Sequence, residues 1–258
     1  MYFIKEKKIK ISDLQIESIF CGPEKIQREK IKIVIFVPGG TGFELNKKND
    51  LVMRIINSIS EQGYVAIAYN GRGQGKSEGF RNSQLETYED LIKIIKYIRE
   101  CYSEYEELSI GLVGISVGGY GAIKIASGEK IIKSIITWGT LPSYKLAKND
   151  GRTYEIIKKY WLKNPKRIQF EEYFEQYKCD DPIDYIKELT QPILFLGGGA
   201  DNKFFRHDEQ KTFIKAAENS RLKLLIELPG VSHQLTMNDE QFHLLTNLII
   251  FWFNLTMI

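Results

Sequence analysis

Residues 108–120 read Leu-Ser-Ile-Gly-Leu-Val-Gly-Ile-Ser-Val-Gly-Gly-Tyr, and this stretch decides the fold. Leu108 to Ile115 is an apolar run of strand length. Gly114-Ile115-Ser116-Val117-Gly118 then fits G-x-S-x-G, and Val117 to Ser127, rich in small residues, reads as a helix. That context, a serine between a strand and a helix, is what the motif requires. The reason is steric. A strained turn needs small neighbours, so glycines stand two residues to either side of the serine. The helix that follows aims its free N–H groups at the reacting centre, where they favour developing negative charge. A chance glycine-rich turn is the competing reading, since the five-residue pattern alone is common. Ser116 is the candidate nucleophile.

The flanking sequence alternates. Tyr2 to Ile11 and Leu14 to Cys21 are extended segments that read as a hairpin. Ile31 to Val37 (IKIVIFV) is a near-continuous apolar run, as in a strand covered on both faces, and it stops at Pro38-Gly39-Gly40. Leu51, Ile55, Ile56 and Ile59 give Asp50 to Gln62 helical spacing, and Gly63 can end that helix. Tyr64 to Tyr69 is another strand, and Leu91, Ile94, Ile95 and Ile98 mark a helix over Tyr88 to Arg99. Downstream, Ile131 to Trp138, Pro192 to Leu196 and Leu222 to Leu228 read as strands, and Asp208 to Glu218 and Asn238 to Asn254 as helices. Strands alternating with helices predict an α/β fold with a doubly wound, mostly parallel sheet. Pro142 to Leu189 breaks the rhythm, separating two strands by far more than one helix requires. It carries helical spacing and the aromatics Tyr154, Tyr160, Trp161, Phe170, Tyr173, Phe174 and Tyr177. It is read as a helical lid, residues 142–189, lying over the C-terminal edge of the sheet, where such folds place their sites.

A chain of 258 residues suits one α/β domain, 1–258, with that insertion inside it. With 43% hydrophobic and 27% charged residues it can bury an ordinary core. The net charge of +3 comes from lysines mixed with glutamates, not from a clustered basic patch, which argues against nucleic acid as a partner. Cys21, Cys101 and Cys179 are far apart and form no C-x-x-C pair, so neither a disulfide framework nor a zinc site is expected. Asp180 and Asp181 disfavour a thiolate at Cys179. The N-terminus lacks the apolar stretch of a secretory signal. Leu244 to Ile258 is strongly apolar but shorter than the roughly 20 residues of a membrane span, and Asn247 and Asn254 interrupt it. It reads as a last helix buried against the sheet. The expectation is a soluble, cytoplasmic protein without membrane or nucleic-acid partners.

The serine's partners must be found among three histidines. His207 starts a helix beside Asp208 and His243 lies within the last helix, so both read as surface or core residues. His233 ends Leu228-Pro229-Gly230-Val231-Ser232-His233, on a loop after the last strand. The acid candidate is Asp201, in Gly197-Gly198-Gly199-Ala200-Asp201, although an aspartate there also suits a turn or a helix cap. Ser116, Asp201 and His233 then stand in the order nucleophile, acid, base.

On these residues the chain resembles the α/β-hydrolase superfamily, over roughly residues 25 to 258. Asn70-Gly71-Arg72-Gly73-Gln74-Gly75-Lys76-Ser77 resembles that family's D-x-R-G-x-G-x-S loop after the fourth strand, with Asn70 where Asp is usual. The resemblance implies a mainly structural loop that supports the turn bearing Ser116. It also implies an oxyanion hole at Pro38-Gly39-Gly40-Thr41-Gly42, with Pro38 where the family often has histidine. Gly40 and Val117 map as the N–H donors, with Thr41 beside them as a further contributor and substrate contact. The implied chemistry is acyl transfer through a covalent intermediate, on a small-molecule acyl substrate, with no metal or organic cofactor required. Trp161 and Phe174 are assigned to an apolar acyl or aromatic pocket, against the alternative that such aromatics are simply packing.

Two nucleotide motifs are mimicked and fail. Gly75-Lys76-Ser77 ends like a P-loop, but Asn70 occupies the required first glycine. Gly71-x-Gly73 begins like a dinucleotide fingerprint, but position 76 is lysine. Ester hydrolysis is the first expectation, because simple esters ask least of a pocket. A thioesterase or acyltransferase is the nearest rival, and a peptidase is disfavoured for lack of room for a gating domain. A binding protein on a hydrolase scaffold is set aside because such proteins tend to have lost a member of the Ser-His-Asp set.

Overall fold

The apolar runs become strands because each buries both of its faces. The computed structural model describes residues 2–25, 29–47, 50–81, 83, 85–144, 151, 154–155, 158–159, 161, 169–175, 180–201, 207–233 and 237–258. In it β3 (Lys30–Val37) sends Ile31, Ile33, Ile35 and Val37 into one core and Val34 and Phe36 into the other. β4 (Val65–Tyr69) divides likewise, Val65, Ile67 and Tyr69 against Ala66 and Ala68. Side chains alternate faces along a strand, so a strand with a core on each side must be apolar at nearly every position.

Two antiparallel strands, β1 (Tyr2–Ile11) and β2 (Leu14–Pro23), form the hairpin at one edge. The other strands are β5 (Glu107–Ile115), β6 (Ile132–Trp138), β7 (Ile193–Gly198) and β8 (Lys223–Leu228). The sheet has the order β1-β2-β4-β3-β5-β6-β7-β8, parallel from β4 onward. Helices α1 (Leu51–Glu61) and α7 (Asp239–Thr256) cover one face. On the other lie α2 (Leu85–Cys101), α3 (Val117–Gly128), α5 (Pro182–Ile186) and α6 (His207–Ala216). The short α4 (Phe170–Glu175) lies in the segment between β6 and β7. The chain is thus a doubly wound, mostly parallel α/β sheet.

Helix ends differ from the periodicity-based bounds, for chemical reasons. α2 starts at Leu85, not Tyr88, because Ser83 and Glu86 cap it reciprocally: Glu86 N donates to Ser83 Oγ at 3.3 Å and Ser83 N donates to Glu86 Oε2 at 3.1 Å. This is a capping box, legible as S-x-x-E but invisible to an apolar count. Asn238 and Gln241 cap α7 in the same manner. That last helix buries Phe242, Leu245, Ile249, Trp252 and Phe253 but leaves Leu244, Phe251 and Leu255 at the surface, so its burial is one-sided. No helix among the described residues is long and apolar enough to cross a membrane.

The aromatics after β6 form a third cluster of their own. Leu141, Tyr144, Phe170, Tyr173 and Phe174 pack together, with Tyr154 and Trp161 against them. The Tyr154 ring meets those of Phe170 and Phe174 edge-on at 5.0 and 4.9 Å. Tyr160, Tyr177 and Cys179 lie outside the described residues. Where the segment returns to the sheet it is clasped to α3. The Asp180 carboxylate accepts hydrogen bonds from the Tyr120 and Tyr185 hydroxyls and from Lys124 Nζ at 2.6 Å. Burial works to raise the Asp180 pKa, but these three donors together hold it below the usual value.

Candidate active site

Ser116 sits where β5 ends and α3 begins, in a backbone conformation few L-residues adopt, φ 52° and ψ −119°. Such a conformation costs about 1–3 kcal/mol and persists only where the surroundings enforce it. Its own N–H donates to Trp138 O at 2.7 Å, and its carbonyl accepts from Gly119 N at 3.0 Å. The flanking glycines are required by close approach. A Cβ at 114 would lie 2.5 Å from Gly119 Cα, and one at 118 would lie 2.4 Å from Val37 O. A serine preceding a helix ordinarily caps it with its hydroxyl; here the side chain makes no capping bond. The hydroxyl is left half-exposed at the C-terminal end of the sheet.

Asp201 and His233 are brought together by the loops after β7 and β8. Those loops are stitched by backbone hydrogen bonds: Gly199 N to Leu228 O at 2.8 Å and Ala200 N to Val231 O at 3.0 Å. Asp201 N donates to Gly198 O at 2.8 Å, turning the chain back. The result places Asp201 Oδ2 2.6 Å from His233 Nδ1. The carboxylate is 1% exposed and the imidazole 18%. An ionised carboxylate only accepts, so Nδ1 carries the proton, and Nε2 of the neutral ring keeps its lone pair.

One residue ties this pair to the Ser116 turn, and sequence reasoning missed it. Gly139 follows Trp138, the residue whose carbonyl receives the Ser116 N–H. A Cβ at 139 would stand 3.1 Å from His233 Nδ1 and 3.6 Å from Asp201 Oδ2, and its φ is +58°. The absence of a side chain there lets the imidazole lie against the end of β6, next to the end of β5. A lone glycine after a strand is too common a signal to have revealed this.

The turn after β3 adjoins the same place. A Cβ at Gly39 would be 3.4 Å from Ser116 Cβ. Gly40 and Thr41 are exposed beside it, and Val117 begins α3, where the first N–H groups have no helical partner. The loop after β4 braces this turn. Asn70 Oδ1 accepts from Phe43 N at 2.6 Å, and Nδ2 donates to Phe43 O at 3.0 Å and Glu17 Oε2 at 2.8 Å. This explains the departure from the family's aspartate. With the Glu17 carboxylate as neighbour, a residue able to donate is needed, and aspartate would offer only a second negative charge.

Trp161 and Phe174 stand in the aromatic cluster after β6. Phe174 is 2% exposed and packs on Phe170, while it also lines, with Gly151, Tyr154, Glu171 and Glu175, a cavity of about 360 Å³. Of the other histidines, His207 begins α6 and His243 is exposed on α7 with its ring edge-on to Phe242. No group of metal-ligating side chains occurs among the described residues.

Comparison with known proteins concerns the family and the fold of the chain. An uncharacterized 31.7 kDa protein from the traX-finO intergenic region of Escherichia coli is 27% identical over 135 residues, which are 50% of this chain and 45% of that protein. The chain thus spans less than half the length of that relative. Among solved structures, Est1E of Butyrivibrio proteoclasticus with ferulic acid bound superposes with a TM-score of 0.75 at 16% identity, covering 97% of this chain and 98% of that one. An esterase of Pyrococcus furiosus gives 0.75 at 20%, covering 100% and 92%. An acylaminoacyl peptidase of Pyrococcus horikoshii gives 0.73 at 18%, covering 98% of this chain but 41% of that one. At such identities the likeness concerns fold. Residues 52–257, from the first helix through the last, match the prolyl oligopeptidase family. The chain therefore belongs to the prolyl oligopeptidase family and has the α/β-hydrolase fold.

Proposed function

We propose that this hydrolase cleaves carboxylic esters of small molecules with Ser116 as nucleophile, His233 as general base and Asp201 as the acid that orients it. The observation that carries the reading is the 2.6 Å contact between Asp201 and His233, packed on Gly139 beside the strained Ser116 turn. Ser116 Oγ attacks the ester carbonyl as His233 Nε2 takes its proton. The N–H groups of Gly40 and Val117 receive the oxyanion. The imidazolium, stabilised by Asp201, then gives its proton to the leaving alkoxide. Water attacks the acyl-enzyme by the same route, and Ser116 is released.

The preference for esters draws on the likeness to the Pyrococcus furiosus esterase, which extends over 92% of that chain. It also draws on the Tyr154 and Phe174 walls of the cavity after β6. Those walls suit an aromatic or extended acyl group, of the kind that ferulic acid is. A second reading, peptide cleavage, is favoured by the family itself. Esters, thioesters and N-acyl peptides of one common acyl group decide between them. The expected order is ester ahead of thioester, with the peptide slower by a factor well above ten; a peptide cleaved fastest overturns the ester reading.

Residues 142–189 act in this proposal as a lid that sets substrate choice while the chemistry stays with the other loops. Trp161→Ala and Phe174→Leu are then expected to shift the acyl-chain preference by about tenfold, since a hydrophobic pocket discriminates by about 1–3 kcal/mol per methylene. Labelling of Ser116 by a small fluorophosphonate should stay near the wild-type rate. Phe174 is part of a packed cluster, so melting temperature must be read beside kcat/KM for an ester series. A lower melting point with unchanged chain-length preference sinks the lid proposal.

A further inference from the structure

The carbonyl of Gly39 is gripped from beneath by two buried side chains. Gln74 Nε2 donates to it at 2.6 Å and Arg81 Nη1 at 3.0 Å. Gln74 is 5% exposed and Arg81 4%. The Gln74 amide is oriented by Gly71 N, which donates to its Oε1 at 3.0 Å, so Nε2 must face Gly39. Arg81 is costly where it stands, since a buried guanidinium loses its water shell. Among the described residues its Nε and Nη2 have no hydrogen-bond partner. Its one hydrogen bond described goes to Gly39.

A peptide group is planar and trans, so its N–H points opposite to its C=O. No cis bond occurs among the described residues. Holding the Gly39 oxygen toward Gln74 and Arg81 therefore turns the Gly40 N–H the other way, out of the protein. That side is open: Gly40 is exposed, and a Cβ there would meet nothing within 4 Å. The same peptide adjoins the nucleophile, since a Cβ at Gly39 would lie 3.4 Å from Ser116 Cβ. Left alone, a Gly-Gly peptide would rotate readily, because neither residue has a Cβ to restrict it.

We propose that Gln74 and Arg81 are positioning residues of the oxyanion hole: they fix the Gly39–Gly40 peptide and aim its N–H at the developing charge. Both donate to the oxygen of the very peptide whose N–H faces the substrate. Hydrogen bonds in series polarise one another, so the grip also strengthens Gly40 as a donor. Arg81 further places a permanent positive charge one peptide away from the oxyanion. This inference rests on the reading of Ser116 as nucleophile and Gly40 as donor.

The test uses Gln74→Leu, Arg81→Met and Arg81→Lys, confirmed as folded by circular dichroism. For each, kcat and KM on an activated ester are measured beside the affinity of an arylboronic acid, whose serine adduct mimics the tetrahedral anion. Misaiming a donor is expected to lower kcat about 10- to 100-fold, with KM nearly constant. Boronic acid binding should weaken by the same factor, and Arg81→Lys, which keeps the charge and one donor, should recover part of what Arg81→Met loses. Wild-type kcat and boronic acid affinity in both Gln74→Leu and Arg81→Met overturn the inference, whatever the melting temperature does. Should Arg81→Met fail to fold, Gln74→Leu and Arg81→Lys decide. Wild-type protein that a fluorophosphonate does not label at Ser116 breaks the underlying reading instead; labelled wild type with variants as fast as it breaks only this one.

Discussion

Ser116→Ala is expected to lower kcat by about 10⁴- to 10⁶-fold and to abolish fluorophosphonate labelling, the usual scale for loss of a serine nucleophile. The fold should survive, because the hydroxyl caps no helix N–H and the backbone bonds of residue 116 do not involve the side chain. Alanine keeps the Cβ, so the strain at φ 52° is unchanged and the melting temperature should barely move. Ser116→Gly separates the two roles of the position. Glycine accepts this conformation freely, so the variant should be as inactive as alanine yet more stable, by about 1 kcal/mol after its greater unfolded-state entropy is subtracted. Measuring turnover, labelling and melting together checks all three statements. More than a tenth of wild-type activity in folded Ser116→Ala would rule out this nucleophile.

The sheet was legible in the sequence because its central strands are buried on both faces. Ile31 to Val37 and Tyr64 to Tyr69 are apolar at nearly every position, and each sends alternate residues into the two cores. Strand order was not legible in the same way, since β4 lies between β2 and β3 and no residue pattern announces that. The start of α2 was misplaced because a polar cap sets it, whereas the capped starts of α1 and α7 were placed within a residue. Leu85 is exposed, so an apolar count starts α2 late, while the Ser83–Glu86 pair that fixes the start is polar. The last helix was read as buried against the sheet, and it buries one side there while the stripe of Leu244, Phe251 and Leu255 stays at the surface.

The site divides along similar lines. Ser116 could be nominated because the steric demands of its turn leave a pattern of glycines in one short stretch. Asp201 and His233 could be nominated because each lies on a loop that follows a strand, and a parallel sheet gathers such loops at one edge. Of the residues that hold them in place, the loop bearing Gln74 was read as a support, but no single contact was. Gly139, Gln74 and Arg81 act through distance and orientation across loops far apart in the chain, as in the contact from Arg81 to Gly39. Nothing in local composition separates Arg81 from the many solvated lysines and arginines; only its burial does.

Asp201→Asn is expected to lower kcat by about 10⁴-fold, the scale seen when a triad acid is replaced isosterically. The carboxylate accepts a hydrogen bond from Nδ1–H at 2.6 Å, and this puts the ring's lone pair on Nε2, the atom that takes a proton from Ser116. Asparagine can turn its NH₂ toward Nδ1. The neutral ring then puts its proton on Nε2, and the base is lost although every atom is nearly in place. KM should change little, because the substrate does not touch residue 201, and fluorophosphonate labelling should slow in step with kcat. Stability gives the contrast. If Asp201 were only a turn or cap residue, asparagine, which serves equally well there, would leave the rate alone. The carboxylate is 1% exposed, and asparagine keeps its volume, so the packing around it should survive. The outcome sought is a protein that melts near the wild-type temperature, with activity almost gone. His233→Ala should match it. Asp201→Asn with wild-type turnover, or His243→Ala with the loss expected of His233→Ala, would remove this pair from the mechanism.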